Sequence, residues 1–186
     1  MAIRTRLRLL YLLHLSKPAY NRPVYRAISQ GGVCTILELG LGKGQRALRM
    51  IEVAGGPTSI DRVSYTGVDL FEARAPGAGP RLTLKEAHRL LRPTGARIRL
   101  LPGDPLAALR PVVNGLERID LVIVSLGLDA ASLARTWYYL PRVLHSRSLV
   151  MVEEPTGLKE GVRVRLAAPR EVRSLAAKAA PGRQAA

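Results

Sequence analysis

Between an apolar run and an amphipathic segment, the chain carries an acidic residue and three glycines at alternate positions, Glu38-x-Gly40-x-Gly42-x-Gly44. Glycine has no Cβ and reaches backbone angles closed to other residues, so a ligand can lie directly against the main chain there. A second apolar run closes on Asp69, where a carboxylate can accept from both vicinal hydroxyls of a ribose. Asp104 sits in Pro102-Gly-Asp-Pro-Leu106. It can cap the helix that follows, contact a ligand, or do both. The dinucleotide fingerprint G-x-G-x-x-G would need glycine where Gln45 stands. No Lys-Ser/Thr pair follows the glycines, which speaks against a phosphate-binding P-loop.

The elements that must position these residues are legible around them. Ile36 to Leu39 reads as a buried strand. Gln45 to Ala54 reads as a helix with Ala47, Leu48, Ile51 and Ala54 on its inner face and Arg46, Arg49 and Glu52 opposite. Strand, glycine turn and helix in that order open a nucleotide-type α/β sheet. Further strands are expected at 63–69, 97–101 and 118–125, the last apolar enough to be buried on both faces. Thr83-Leu-Lys-Glu86 is a capping box that starts a helix running to about Arg92. A helix at 132–140 carries Leu133, Trp137 and Leu140 on one stripe. The alternating Val162-Arg-Val-Arg-Leu166 suits an edge strand.

The pattern E-x-G-x-G-x-G resembles motif I of the class I S-adenosylmethionine-dependent methyltransferases, and the resemblance extends from Thr35 to Glu153. It implies an α/β three-layer sandwich around a mainly parallel sheet of about six strands. Gly40, Gly42 and Gly44 would pass beneath the methionyl and ribose parts of S-adenosylmethionine, and Glu38 would help anchor its amino end. Asp69 would hold the ribose with Leu70 beside the adenine, and Asp104 would meet the adenine amino group. The activity implied is methyl transfer to an unidentified acceptor. Ser125, Tyr138 and Glu154 are candidates for the acceptor side by location, and no catalytic base is assigned. Metal dependence is disfavoured, because Ser125 stands where the metal-dependent O-methyltransferases of this family carry an aspartate ligand. Lys43 replaces the small residue often found in the glycine turn. Only 32 residues, Pro155 to Ala186, follow the segment that would contain strand five.

Composition bounds these readings. At 186 residues the chain suits one domain with a proper core. It divides into an N-terminal helical extension (1–32), a methyltransferase-like domain (33–168) and a C-terminal helix and frayed tail (169–186). The lone Cys34 excludes a disulfide framework and reads as a small buried hydrophobe. The three scattered histidines show no metal-ligand spacing. The formal charge of +15 comes from 24 arginines and 5 lysines against 14 acidic residues. Such a field favours anionic partners, nucleic acid or an anionic membrane surface among them. Residues 1–30 hold six basic residues and no acidic one. The apolar core of the helix at 3–15 is too short for a membrane span. Ser16-Lys-Pro-Ala19 is a poor cleavage context, so the expected location is cytoplasmic. A non-catalytic cofactor-binding or interaction module, and a basic protein acting on nucleic acid or a membrane surface, are the rival readings.

Overall fold

The strands that sequence reading located pair into one sheet in a computed structural model that describes residues 2–56, 60–75, 77, 82–116, 118–157 and 161–180. They are β1 (Thr35–Leu39), β2 (Ser64–Asp69), β3 (Arg97–Pro102), β4 (Ile119–Val124), β5 (Leu144–Pro155) and β6 (Val162–Leu166). Their order is β3-β2-β1-β4-β5-β6. The first five run parallel, and β6 returns antiparallel along β5, with Met151 facing Leu166 and Pro155 facing Val162. In β1 and β4 nearly every residue is buried, as expected for central parallel strands covered on both faces.

One face is covered by α1 (Ala2–Leu10), which continues as a wider turn to Leu15, and by α2 (Arg22–Gly31), α3 (Gln45–Gly55) and α4 (Leu84–Leu91). Leu12, Val24, Tyr25 and Ile28 enter the same apolar cluster as Ile36, Met50, Ile51 and Leu91. Each large side chain removed from water there contributes about 1.5–3 kcal/mol, so the N-terminal segment is bound firmly to the sheet. The capping box forms: Thr83 Oγ1 accepts from the Glu86 N–H and Glu86 accepts from the Thr83 N–H.

The other face is covered by α5 (Pro105–Leu109), α6 (Ala130–Thr136) and α7 (Pro169–Lys178). Ala108, Leu109, Trp137, Leu140 and Val172 meet Leu37, Leu39, Val122 and Val124 there. The architecture is therefore a three-layer α/β sandwich around a six-stranded, mostly parallel sheet, as the family resemblance implied.

Several local expectations are corrected. α6 stops at Thr136, and Leu140 lies in a separate short turn that Pro141 opens, yet Trp137 and Leu140 are both buried. Cys34 is only half-buried. Leu166 is exposed because it ends its strand. Arg46 does not face solvent: its side chain is 10% exposed. Part of the loop at 73–80 and the end of the tail, 181–186, lie outside the described residues.

At the N-terminal edge of the sheet Asp120 holds three elements together. Its carboxylate accepts from the N–H groups of Cys34 and Thr35 and from the Thr35 hydroxyl, at 2.8–2.9 Å, and contacts His145 Nε2 at 2.9 Å. The β4–β5 register shifts between Ile119 and Leu121, beside this residue.

Candidate functional site

Strand order reverses between β1 and β4, and in open α/β sheets the crevice at that point, beyond the carboxyl ends of the strands, is where ligands sit. The glycine turn between β1 and α3 forms its floor. Gly40 adopts φ +88°, and a Cβ there would come within 2.8 Å of the Ser125 Cβ, so only glycine lets the ends of β1 and β4 close together. Gly42, at φ +59°, would point a Cβ into open space, which leaves main chain facing the crevice. Its N–H donates to Asp69 Oδ2 at 2.9 Å, joining the turn to the end of β2.

A largely buried ionic cluster adjoins this turn. Arg46, in the first turn of α3, donates from Nε to Glu38 Oε1 at 2.7 Å and from Nη2 to Ser125 Oγ at 2.5 Å. Its Nη1 donates to Glu153. One guanidinium thus ties together the C-terminal ends of β1, β4 and β5. Glu38 is fully buried and accepts from the Tyr65 hydroxyl as well. Burial pushes the Glu38 carboxyl up, against the opposing pull of Arg46 and Tyr65. Burial also opposes the Arg46 charge, but the two glutamates outweigh it and raise its pKa, so Arg46 stays a cation. Tyr65 is pushed well up by burial and by Glu38, which keeps its hydroxyl a donor.

Above the floor is a cavity of about 580 Å³. The glycine turn, the segment Lys17, Pro18, Tyr20 and Asn21, and Ser125, Glu153, Arg46, Arg49 and Arg74 line it. Arg49 Nη1 donates to the Lys17 carbonyl at 2.5 Å, which fastens the N-terminal strap over the turn. Asn21 is 5% exposed, and its Oδ1 has no hydrogen-bond partner among the described residues.

The sequence-derived site residues fall into three groups. Gly40, Gly42, Gly44 and Ser125 meet at the cavity. Asp69 and Glu38 lie one layer behind it: Asp69 accepts from Arg74 Nη2 at 2.5 Å, and Arg74 is the residue that lines the cavity. Leu70 is 37% exposed beside Asp69, next to Phe71, a buried residue held at φ +47°. Asp104 caps α5 through the N–H groups of Leu106 and Ala107 and accepts from Ser132, the contact that chiefly holds its carboxyl below the usual range.

Tyr138 and Glu154 are placed elsewhere. Arg142 stacks on Tyr138 at 4.9 Å, and Glu154 is engaged by Arg163 and Arg165 on β6. Strand alternation explains the exchange: neighbours on β5 point to opposite faces, so Glu153 reaches the cavity and Glu154 does not. Arg46, Glu153 and the strap at 17–21 are the contributors that sequence reading did not name as site residues.

No known protein family matches the chain by sequence, and no curated protein does either. Solved structures match by shape. An O-methyltransferase from Bacillus cereus in complex with SAH superposes with a TM-score of 0.56 at 14% identity, over 81% of this chain and 66% of that one. The O-methyltransferase TomG from Streptomyces achromogenes, in complex with SAM, gives 0.54 at 12% identity over 80% and 64%. A precorrin-6y C5,15-methyltransferase from Geobacter metallireducens gives 0.51 at 14% identity over 77% and 66%. The fold is that of a class I methyltransferase. The chain spans about two thirds or less of the length of these structures. Within the methyltransferase fold, the glycine turn, the acid ending β2 and the cavity at the strand-order reversal occupy adjoining positions. Among the described residues no group of three or more His, Cys, Asp or Glu is placed to hold a metal ion. Among the described residues, too, no helix is long and apolar enough to cross a membrane.

Proposed function

We propose that this chain binds S-adenosylmethionine at the glycine turn and transfers its methyl group to an acceptor held in the same cavity. The observation that carries the reading is the bare main chain at Gly42, open to a 580 Å³ cavity and hydrogen-bonded to the acid that ends β2. Gly40, Gly42 and Gly44 would underlie the cofactor. Asp69 would take the ribose hydroxyls once Arg74 turns away, with Leu70 and Asp104 toward the adenine. Glu38 acts one step removed, by fixing Arg46 beneath the amino end. When bound, the cofactor supplies an activated methyl carbon, whose bond to sulphur breaks as an acceptor oxygen, nitrogen or sulphur attacks in line.

The chain's own part is positioning and exclusion of water. Glu153 and Ser125 stand on the acceptor side, but both are held by Arg46, and Glu153 also accepts from the Leu126 N–H at 2.8 Å. With both its oxygens already accepting hydrogen bonds, Glu153 is not free to serve as a base, so an acceptor that is nucleophilic without one fits the site best. Lys17, Pro18, Tyr20 and Asn21 of the strap line the same cavity as the glycine turn.

Calorimetric titration with S-adenosylmethionine and S-adenosylhomocysteine tests the reading. Micromolar binding by the native chain, lost in Asp69→Ala, supports it. Absence of binding by the folded chain refutes it. Binding with no transfer to any member of an acceptor panel would favour the non-catalytic module.

A further inference from the structure

The N-terminal helix presents a second surface that the cavity does not use. Across α1 and its continuation, Leu9, Leu12 and Leu13 pack against the sheet. Leu7, Leu10, Tyr11 and Leu15 point the other way and are 62%, 53%, 39% and 66% exposed. At about 100° per residue Leu7, Leu10 and Tyr11 share one side, and Leu15, four residues further along the wider turn, comes back to it. Arg6 and Arg8 flank it on either side.

A lone exposed leucine is ordinary; four in a row along one helix are not. The inner face is already committed, since Arg8 pairs with Glu52 of α3 at 2.8 Å and Leu12 is buried. The stripe therefore cannot be buried by rolling the helix over.

The surrounding charge indicates what covers it. Residues 1–30 contain six basic and no acidic residues. Among the described residues Arg6, Lys17, Arg22 and Arg26 have no carboxylate partner. Arg22 and Arg26 donate instead to the carbonyls of Ser16 and Leu13, at the end of the stripe, and keep their charge uncompensated. An apolar ridge bordered by unpaired cations is complementary to a surface with anionic headgroups over hydrocarbon. Nucleic acid would use the cations but offers nothing to the leucines.

We infer that the Leu7–Leu10–Tyr11–Leu15 face docks on an anionic lipid bilayer, with Arg6, Lys17, Arg22 and Arg26 at headgroup level. The stripe leads directly into Lys17 and Pro18, which line the cavity, so the docked protein holds its cavity wall next to the membrane surface. The inference is independent of the methyl-transfer reading.

The test is co-sedimentation of the full chain with vesicles of phosphatidylcholine alone and of phosphatidylcholine mixed with phosphatidylglycerol. The variant is Leu7→Ser/Leu10→Ser/Leu15→Ser, whose changes are all at exposed positions. Its far-ultraviolet circular dichroism and melting temperature serve as the fold control. The expected result is binding to the anionic vesicles and little to the neutral ones. Affinity should fall about ten-fold or more in the triple variant and fall again as salt rises. Absence of anionic-vesicle binding by the native chain would overturn the inference. So would binding that the folded triple variant keeps in full, which would mean cations alone are responsible. Two further results count against it: tight binding to a duplex oligonucleotide with no vesicle binding, and a dimer that the triple substitution dissociates with no vesicle binding. The first would assign the cations to nucleic acid, the second the stripe to another copy of the chain.

Discussion

Replacing Arg46 with methionine keeps most of the side-chain volume and removes the only guanidinium bonded to Glu38 and Glu153 among the described residues. Glu38 has no exposure, and the side chains of Arg46 and Glu153 are 10% and 9% exposed, so solvent cannot substitute for the missing donor. Breaking a buried pair by deleting one partner costs about 3–5 kcal/mol. The slight exposure of two of the three members favours the lower end, about 3 kcal/mol. In a domain of this size that lowers the melting temperature by about 6–12 °C. Urea unfolding at neutral pH, followed by circular dichroism, measures the loss. Adding Glu38→Gln should recover part of it, because the uncompensated buried charge is then gone, with a coupling of about 1–3 kcal/mol in the double-mutant cycle. The deficit should also depend on pH. In Arg46→Met, burial raises the Glu38 pKa with only the Tyr65 hydroxyl left to oppose it. A carboxyl raised by folding favours the native state at low pH and destabilises it as pH rises past the unfolded value. The variant should therefore approach the native chain in stability as pH is lowered toward the carboxyl range. A loss below about 1 kcal/mol, or a coupling near zero, would refute the idea that Arg46 is the clamp of the three strand ends.

Other expected outcomes follow from individual contacts. Asp120→Asn should cost about 1–2 kcal/mol at neutral pH, because hydrogen bonds to a charged acceptor are replaced by weaker ones. Burial alone would raise the Asp120 carboxyl, but the donors from Cys34, Thr35 and His145 together hold it below its usual value. Its stabilisation is present above the ordinary aspartate pKa, about 3.9, and is lost as pH falls through the folded value, so the two unfolding curves should converge in acid. Thr83→Ala removes the Oγ1 that accepts from the Glu86 N–H, leaving only the reverse bond from the residue 83 N–H to Glu86, and should cost about 1 kcal/mol in thermal unfolding. Gly42→Val should cost about 1–3 kcal/mol through its positive φ and abolish S-adenosylmethionine binding in calorimetry, since the new side chain occupies the open face of the turn.

How much of this protein was legible in its sequence follows from which interactions are local. The strands and most helices could be read because burial on two faces demands continuous apolar runs, as at Leu121 to Val124, and burial on one face demands helical spacing, as at Ala47 and Ile51. Glycines at alternate positions after such a strand mark a turn whatever the rest of the chain does. The capping box at Thr83 and Glu86 is likewise complete within four residues.

Tertiary structure alone decided the fate of the polar side chains. Arg46 looked like a solvent-facing helix residue until packing brought Glu38 of β1, Ser125 just past β4 and Glu153 of β5 around it. Its charge is satisfied by residues 8, 79 and 107 positions away. Whether Glu153 or Glu154 faced the cavity depended on the register of β5 against β4, which a one-residue shift would reverse. The strap at Lys17 to Asn21 has no motif, and it became part of the site only because α2 packs on α3. Apolar pattern determines which face of an element is covered. The partner of a buried charge is determined by the fold that surrounds it.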